Sequence, residues 1–274
     1  MTPRLTFAQQ HLYTFQTCPR RFYLRYLARV PWPEAPLGRE QEQAYERGRR
    51  LHRWIERHFI GLPVMDEAES DPVVRQWWNT YRQNGPSLPD GRRFVESSLT
   101  VPIGPEGRHQ LTGRFDLLIV TGADGRPGCA IYDWKTGEPR PIERLRRAWQ
   151  TRTYLYLAAE GGMALAPDSP EAFAPDRISL TYWYIEDPPR PRVIAYDDTA
   201  HRRNRTELEA VVADIDRQLV DGEWPLTEEW SECRHCAYRA YCGRQAAGAE
   251  SLDTAAEDDE QPDDFEIWLE PQWG

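Results

Sequence analysis

Two stretches in the middle of the chain decide the fold, Gly113-Arg-Phe-Asp-Leu-Leu-Ile-Val120 and Ile131-Tyr-Asp-Trp-Lys135. Both are short apolar runs bounded by turn-rich segments, a pattern typical of buried β-strands. Because side chains alternate along a strand, Asp133 and Lys135 project from the same face. Asp116 lies inside the first apolar run, where an unpartnered carboxylate is costly to bury. We therefore expect two neighbouring strands that offer Asp116 and Asp133 to one site.

Helical and strand patterns alternate on both sides of these stretches. The helical periodicity predicts two short helices within residues 5–28 and longer helices at 39–59, around the Trp-rich run 73–81, at 141–160 and at 200–220. Strand patterns are found at 93–101, 110–120, 129–135, 178–185 and 192–196. This order predicts an α/β fold with a central mixed β-sheet flanked by helices.

Composition and charge divide the chain into a folded part, residues 1–248, and a C-terminal tail, residues 249–274. The 274 residues are 40% hydrophobic and 12% aromatic, which is typical of a globular protein. The net charge of -10 would disfavour a nucleic-acid partner if it were spread evenly. The tail holds ten of the 44 acids and no Lys or Arg, so 34 acids balance 34 bases in the folded part. Local basic surfaces therefore remain possible there.

The tail has little to bury, and its composition predicts disorder. Its terminal aromatic residues, within 265–273, could dock on a protein partner. The acids could instead compete with DNA for a basic groove, or merely keep the protein in solution. The chain has no apolar run of 18 residues, and its first ten residues lack the layout of a signal peptide. We therefore expect a cytoplasmic protein without a membrane partner.

Asp116 and Asp133 could supply the hard oxygen ligands that Mg²⁺ or Mn²⁺ prefers. Lys135 could position a water molecule or neutralise developing negative charge during phosphodiester hydrolysis. The helix at 39–59 directs His52 inward, where its imidazole could be a further ligand. Each residue also has a structural interpretation, namely an ordinary Asp133–Lys135 salt bridge on a sheet and a hydrogen-bonded core histidine.

The helix predicted at 141–160 carries Gln150 and Tyr154 four residues apart, hence on one face. Arginines surround this pair, so the segment could contact a nucleic-acid strand through phosphate attraction and aromatic stacking. Arg114 and Arg147 are the arginines predicted to bind DNA. The alternative is a solvated arginine face with Tyr154 in the core.

Three of the five cysteines lie in the motif Cys233-x2-Cys236-x5-Cys242. Thiolates prefer soft metals, which leaves two alternatives. One is zinc with His235 or a distant group as the fourth ligand. The other is an iron-sulfur cluster completed by another cysteine.

The motifs Gly113-Arg-Phe-Asp116, Ile131-Tyr-Asp-Trp-Lys-Thr-Gly137 and Gln150-x-x-x-Tyr154 resemble the successive motifs of RecB-type PD-(D/E)XK nucleases. The resemblance implies a restriction-endonuclease-like core. It also implies roles for individual residues: His52, Asp116, Asp133 and the Trp134 carbonyl as metal ligands, Lys135 as the catalytic lysine, and Gln150 and Tyr154 near DNA. The sequence departs from the family pattern at Phe115, where proline is nominal, and at Trp134, where tyrosine is commoner.

The segment from Cys18 to Tyr23 resembles the cysteine-bearing start of nucleases with one upstream and three downstream cluster ligands, as in AddB and the CRISPR-adaptation exonucleases. The resemblance implies a 4Fe-4S cluster held by Cys18, Cys233, Cys236 and Cys242, which closes the domain. A zinc knuckle without Cys18 is the alternative. Cys129 has no place in this pattern and is expected to be a small buried hydrophobic residue.

These observations predict a metal-dependent deoxyribonuclease. The resemblance implies an exonuclease on single-stranded DNA ends that acts in DNA repair, recombination or CRISPR adaptation. One alternative is an inactive DNA-binding or scaffolding subunit of a DNA-processing complex. Another is a zinc-containing regulatory module. Glu96, on the first predicted strand, could add an acid to the site, although a surface glutamate is the simpler expectation.

Overall fold

The computed structural model describes residues 3–31, 39–64, 71–122, 126–234 and 236–245. The disorder expected for residues 249–274 and the ligand role considered for His235 both fall outside these described residues. No described helix is both long and apolar enough to cross a membrane.

Seven helices and six strands make up the described chain, apart from short 3₁₀ turns and one π-helical turn, Tyr23–Leu27. The helices are α1 (Gln9–Thr17), α2 (Pro19–Phe22), α3 (Arg39–Phe59), α4 (Pro72–Asn84), α5 (Ile142–Arg147), α6 (Trp149–Gly161) and α7 (Asp198–Asp221). The strands are β1 (Thr6–Phe7), β2 (Arg92–Ile103), β3 (His109–Thr121), β4 (Gly128–Lys135), β5 (Ile178–Tyr184) and β6 (Arg192–Ala195).

The six strands form one mixed sheet in the order β1-β3-β4-β5-β6, with β2 paired to β3. The β1–β3 and β4–β5 pairs are parallel, whereas the β3–β4 and β5–β6 pairs are antiparallel. The central strands β3 and β4 are the two stretches that the sequence singled out. The prediction of an α/β fold with a mixed central sheet flanked by helices is thus confirmed.

The face of the sheet that carries Trp134 packs against α3 and α4. Leu51 and Ile55, four residues apart on α3, are buried against Leu117 of β3 and Trp134. Helix α4 begins at Pro72, because Asp71 accepts hydrogen bonds from the first free backbone N–H groups of the helix. The side chains of the odd-numbered β4 residues project from the opposite face of the sheet, where α6 packs against β5.

The chain divides into two compact units. One comprises Met1–Pro36, Pro102–Leu111 and Glu207–Gly274, and is called the terminal unit below. The other comprises Leu37–Val101 and Thr112–Thr206 and is called the central unit. The assignment of residues 1–248 to one nuclease domain stays a prediction.

Within the terminal unit, aromatic rings hold the N-terminal helices to the segment after α7. Trp224 stacks on Phe22 and Tyr23, with ring centroids 5.9 and 5.4 Å apart. The fully buried His109 adds a polar tie, because its Nδ1 accepts a hydrogen bond from the Leu5 backbone and its Nε2 lies 2.9 Å from an Asp216 carboxylate oxygen. Segments from both ends of the chain are therefore packed together in this unit.

The single helix predicted for residues 141–160 is wrong. Ala148 adopts an extended conformation (φ -62°, ψ 141°), and this residue separates α5 from α6. The sequence pattern concealed the break because apolar residues continue at helical spacing across it. The break leaves Gln150 in the first turn of α6 rather than in the middle of a helix.

Candidate functional site

Three side chains of the central unit form a potential metal-binding triad. His52 of α3, Glu96 of β2 and Asp116 of β3 each offer one ligand atom, and these atoms lie within 4.8 Å of one another. Asp116 is fixed on both sides, because one oxygen lies 3.4 Å from His52 Nδ1 and the other accepts a hydrogen bond from the Trp134 backbone N–H at 2.8 Å. The described residues contain no second triad that meets this distance criterion.

Glu96 belongs to this triad, which corrects the expectation of a surface glutamate. Its φ of 47° lies in the left-handed region, which is unusual for a residue other than glycine. Buried and exposed residues alternate regularly from Leu99 to Ile103, whereas residues 94–97 are all partly buried. The sequence carried a weak signal of this irregularity, because the adjacent apolar residues Phe94 and Val95 break the two-residue period.

Electrostatics raise the pKa of His52 to about 9. Burial alone lowers this pKa, but the adjacent Asp116 carboxylate and, more weakly, the Asp133 charge outweigh the burial. Metal ligation requires the neutral imidazole. The metal-free triad therefore holds a proton on His52 at neutral pH, and a bound metal must displace it.

The pKa values of the two carboxylates in the triad are shifted in opposite directions. Burial and the Asp116 charge raise the pKa of Glu96 to about 7, although the Arg114 guanidinium opposes them. Burial also acts to raise the pKa of Asp116, but His52 reverses the effect and lowers it. Asp116 is accordingly the permanent anion of the triad, and Glu96 takes up a proton near neutral pH.

Asp133 and Lys135 form a second cluster on β4, as their alternation predicted. Lys135 Nζ lies 2.8 Å from one oxygen of Asp133. Gln150 of α6 bridges both residues: its Oε1 accepts from Lys135 Nζ at 3.0 Å, and its Nε2 donates to the other Asp133 oxygen at 2.8 Å. This bridge requires the helix break at Ala148, which starts α6 beside the end of β4.

The hydroxyl groups of two tyrosines contact the Gln150 side chain of this cluster. The Tyr154 hydroxyl lies 3.4 Å from Gln150 Nε2, and that of Tyr182 lies 3.5 Å from Gln150 Oε1. Tyr182 is also 2.9 Å from the Thr151 hydroxyl, and its ring faces Lys135 Nζ at 5.5 Å. Sequence reasoning missed Tyr182 because its position depends on the pairing of β5 with β4 and on the packing of α6 against β5.

A known family accounts for this arrangement. Residues 6–243 match the model of the PD-(D/E)XK nuclease superfamily. The chain belongs to this superfamily. Membership implies nuclease chemistry, and PD-(D/E)XK nucleases typically use Mg²⁺ or Mn²⁺ and act on DNA.

One solved structure, described as "Crystal structure of SSO0001", matches 86% of the chain and 85% of its own length, at 15% sequence identity and a TM-score of 0.38. No curated protein matches the chain.

The residues predicted to bind DNA in this PD-(D/E)XK chain have different surroundings. Arg147 is exposed at the end of α5. Arg114 is also exposed, and its Nε forms an ion pair with Glu96 at 3.0 Å. Tyr154 is only 4% exposed and its ring packs on Phe115, which corrects the expectation that Tyr154 stacks on a nucleic-acid base. DNA binding by Arg114, Arg147 and Gln150, and metal ligation by the Trp134 carbonyl, stay predictions.

In the terminal unit, four cysteines line one pocket of the nuclease. They are Cys18, Cys233, Cys236 and Cys242. Cys18 stands at the start of α2 and accepts a hydrogen bond from the Arg21 backbone. Burial raises the pKa of Cys236 and Cys242, although nearby arginines oppose the shift. Cys129 is not among the lining residues; it is buried in β4, as expected, and burial raises its pKa to about 12.

The spacing of the cysteine sulfurs bears on which metal group the pocket could hold. In the described part of the chain, no three of them fall within 4.8 Å of one another. A tetrahedral zinc site with Zn–S bonds of about 2.3 Å would bring its sulfurs to about 3.8 Å from one another. An iron-sulfur cluster distributes its thiolates over several iron atoms and therefore spaces them more widely.

Proposed function

We propose that the chain is a metal-dependent deoxyribonuclease of the RecB-like branch, which hydrolyses phosphodiester bonds at single-stranded DNA ends. The observation that carries the proposal is the proximity of His52, Glu96 and Asp116, in the same unit as the Asp133–Lys135–Gln150 cluster. DNA repair, recombination and CRISPR adaptation are the processes in which we expect such an enzyme to act.

The donor atoms fit Mg²⁺ or Mn²⁺. Two carboxylates and an imidazole offer hard and intermediate ligands, and the imidazole favours Mn²⁺ alongside Mg²⁺. We assign His52, Asp116, Asp133 and the Trp134 carbonyl as ligands, and add Glu96 to this set because of its position. When bound, the metal ion supplies Lewis-acid stabilisation of negative charge on the phosphate.

In the proposed reaction, the oxygen of a water molecule attacks phosphorus and the bond from phosphorus to the leaving oxygen breaks. Lys135 is the residue placed to orient that water or to offset the charge that develops. Its ammonium group is held by Asp133 at 2.8 Å and Gln150 at 3.0 Å, so little reorganisation is needed. Asp133, Asp116 and Lys135 are thus the proposed catalytic residues.

The phosphates of the substrate strand need cationic partners. Arg147 lies exposed at the end of α5, one residue before the break that starts α6 and three before Gln150. Arg114 follows Gly113 on β3 and is two residues before Asp116. We propose these two arginines as phosphate contacts, because basic side chains supply most of the affinity for nucleic-acid backbones.

We further propose that the four-cysteine pocket holds a 4Fe-4S cluster. Four cysteine side chains line the pocket, and the sulfur spacing disfavours a single tetrahedral ion. Arg21 and Arg239 also line the pocket and would offset the negative charge of a thiolate-bound cluster. Since Cys18 lies in the N-terminal segment, the cluster would link segments from both ends of the chain.

The activity is tested with end-labelled linear and circular single-stranded DNA and with duplex DNA, in Mn²⁺ or Mg²⁺. We expect mononucleotides or short products from linear single strands, and circles that stay intact. Asp133→Ala should abolish cleavage but keep DNA binding. Asp168→Asn is the matched control, because this exposed carboxylate pairs with Arg92 and has no part in the proposed site.

Other outcomes discriminate between the alternatives. Cleaved circles would replace the exonuclease with an endonuclease. Wild-type protein that binds DNA without cutting it in either metal would support an inactive DNA-binding subunit. Iron and sulfide analysis after anaerobic purification tests the cluster separately, because zinc without iron would leave the nuclease proposal standing and remove the 4Fe-4S cluster.

A further inference from the structure

Arg244, two residues after the last cysteine of the pocket, makes three contacts within the terminal unit. Its Nη1 donates to the Thr227 carbonyl at 2.6 Å and lies 3.2 Å from Cys233 Sγ. Its guanidinium carbon lies 4.5 Å from the centre of the Trp230 ring. One side chain therefore joins a pocket-lining carbonyl, a pocket-lining thiol and an aromatic ring.

These contacts hold the guanidinium cation of Arg244 next to the sulfur of Cys233. Arginine keeps its charge at all relevant pH values, and its hydrogen bonds to ionised acceptors are about twice as strong as neutral ones. Trp230 is 55% exposed, yet one face of its ring lies against the guanidinium. Cys233 is only 7% exposed. The Trp230 ring thus backs the guanidinium that contacts the Cys233 sulfur.

We propose that Arg244 is a positioning residue that sets the reduction potential and the air stability of the cluster through Cys233. The role rests on the 4Fe-4S cluster of the proposed function. It differs from the roles of Arg21 and Arg239, which line the pocket as charges: the Arg239 guanidinium donates to the Arg234 carbonyl at 2.9 Å.

The physical reason is the charge of the reduced state. Hydrogen bonds to coordinating sulfurs are among the factors that set the reduction potential of iron-sulfur clusters. A reduced cluster carries one more negative charge, so a cationic donor on Cys233 stabilises it more than the oxidised form. Removal of the donor should lower the potential. Removal of the Trp230 ring should mainly admit solvent and oxidant to the sulfur.

The test compares Arg244→Gln, Arg244→Lys, Trp230→Leu and the matched control Arg239→Gln in anaerobically purified full-length protein. A redox titration followed by electron paramagnetic resonance gives the potential, and the decay of visible absorbance in air gives the lifetime. For Arg244→Gln we expect the reduction equilibrium to shift at least tenfold towards the oxidised form, which is about 59 mV for one electron. Arg239→Gln should shift it much less, and Trp230→Leu should shorten the lifetime with little change in potential.

The outcomes separate this role from the proposed function. Iron-loaded wild-type protein with equal potentials and lifetimes in Arg244→Gln and Arg239→Gln would overturn the role of Arg244 and keep the cluster. Wild-type protein with zinc and no iron would overturn both. If Arg244→Gln does not fold, Arg244→Lys carries the test. It keeps a cationic donor but loses the planar contact with Trp230, so we expect a potential near the wild-type value and a shorter lifetime. A wild-type lifetime, or a tenfold shift of the reduction equilibrium in this variant, would contradict the proposal.

Discussion

At the residue scale, the backbone of Glu96 is the least expected feature of the candidate site. A left-handed conformation costs an ordinary residue roughly 1 kcal/mol or more, and such strain concentrates at functional sites. Here the strain places a carboxylate beside His52 and Asp116.

The inclusion of Asp116, Asp133 and Lys135 in the candidate site could be predicted from sequence because their positions along two apolar strands fix the direction of their side chains. Glu96 could not, because tertiary packing decides its φ.

Glu96→Gln should weaken Mn²⁺ binding at least tenfold, because it removes an anionic ligand, and should leave the metal-free protein as stable as before or more stable. The metal-free variant should not lose stability because the substitution removes a negative charge that lies next to the negative charge of Asp116. Calorimetric Mn²⁺ titration and thermal unfolding without metal measure the two effects. Unchanged Mn²⁺ affinity with a lower Tm would instead mean that Glu96 only anchors Arg114.

Metal affinity should rise with pH between about 6 and 9. The pKa of His52 is raised to about 9, so the imidazole is protonated at neutral pH, and metal binding must release that proton. Below about pH 7, a second proton is released from Glu96. We expect Mn²⁺ affinity to increase about tenfold per pH unit for each proton released. Proton release measured in two buffers of different ionisation enthalpy checks this, and the release should fall by about one proton near pH 8 in His52→Gln.

The raised pKa of His52 also affects the metal-free fold. Because the folded pKa lies above the ordinary value of 6.5, the ion pair with Asp116 stabilises the fold fully below about pH 6.5. This contribution is lost as the pH rises towards 9. Metal-free wild-type protein should therefore lose part of its free energy of unfolding between pH 6.5 and 9, and His52→Gln should lose less. Equal losses in the two proteins would argue against the Asp116 pairing.

At the element scale, most helices and strands could be predicted to within a few residues. The helical period is strong in α3, and β3 and β4 contain continuous apolar runs because much of each strand is buried on both faces. The break at Ala148 could not be predicted. It depends on what α5 and α6 pack against rather than on a helix-breaking residue, and neither Gly nor Pro occurs at residues 142–160.

The start of α6 is held by Thr151, whose hydroxyl donates to the Leu145 carbonyl at 2.5 Å and meets the Tyr182 hydroxyl. Tyr182→Phe should therefore lower the free energy of unfolding by about 1 kcal/mol. It should also lower kcat more than it changes KM for DNA, because Gln150 and Lys135 lose support. Tyr132→Phe is the matched control: Tyr132 belongs to the core cluster with α3 and α4, and its hydroxyl donates to the Ser87 carbonyl at 3.5 Å rather than to the Gln150 cluster. Equal kcat losses in both variants would count against a role for the Tyr182 hydroxyl.

At the scale of the whole molecule, the cysteine pocket joins segments that are more than 200 residues apart in sequence. The pairing of Cys18 with the C-terminal cysteines followed from resemblance to a known family, because spacing alone leaves the fourth ligand open. Linking such distant segments removes chain entropy from the unfolded state. By analogy with a disulfide that closes a long loop, the proposed cluster would stabilise the fold by about 5 kcal/mol.

Cys18→Ala should consequently lose iron and lower the Tm by on the order of 10 °C. Cys129→Ala is the control, because Cys129 is buried in β4 and does not line the pocket. Its loss should reduce stability through a small cavity while the iron content stays at the wild-type level. Inductively coupled plasma analysis and differential scanning calorimetry measure both quantities. A Cys18→Ala protein that retains full iron would show that the fourth ligand comes from elsewhere.

The separation of the pocket-lining cysteines along the chain has a consequence for biosynthesis. Cys18 leaves the ribosome more than 200 residues before Cys242 is made. A growing polypeptide therefore cannot present the complete set of thiols until Cys242 has been synthesised. The aromatic contacts of Trp224 with Phe22 and Tyr23 are available slightly earlier in synthesis. Because the pocket is proposed to take a cluster, cells in which cofactor delivery is slow should accordingly accumulate protein whose two terminal segments are already packed together and whose pocket cysteines are still unligated.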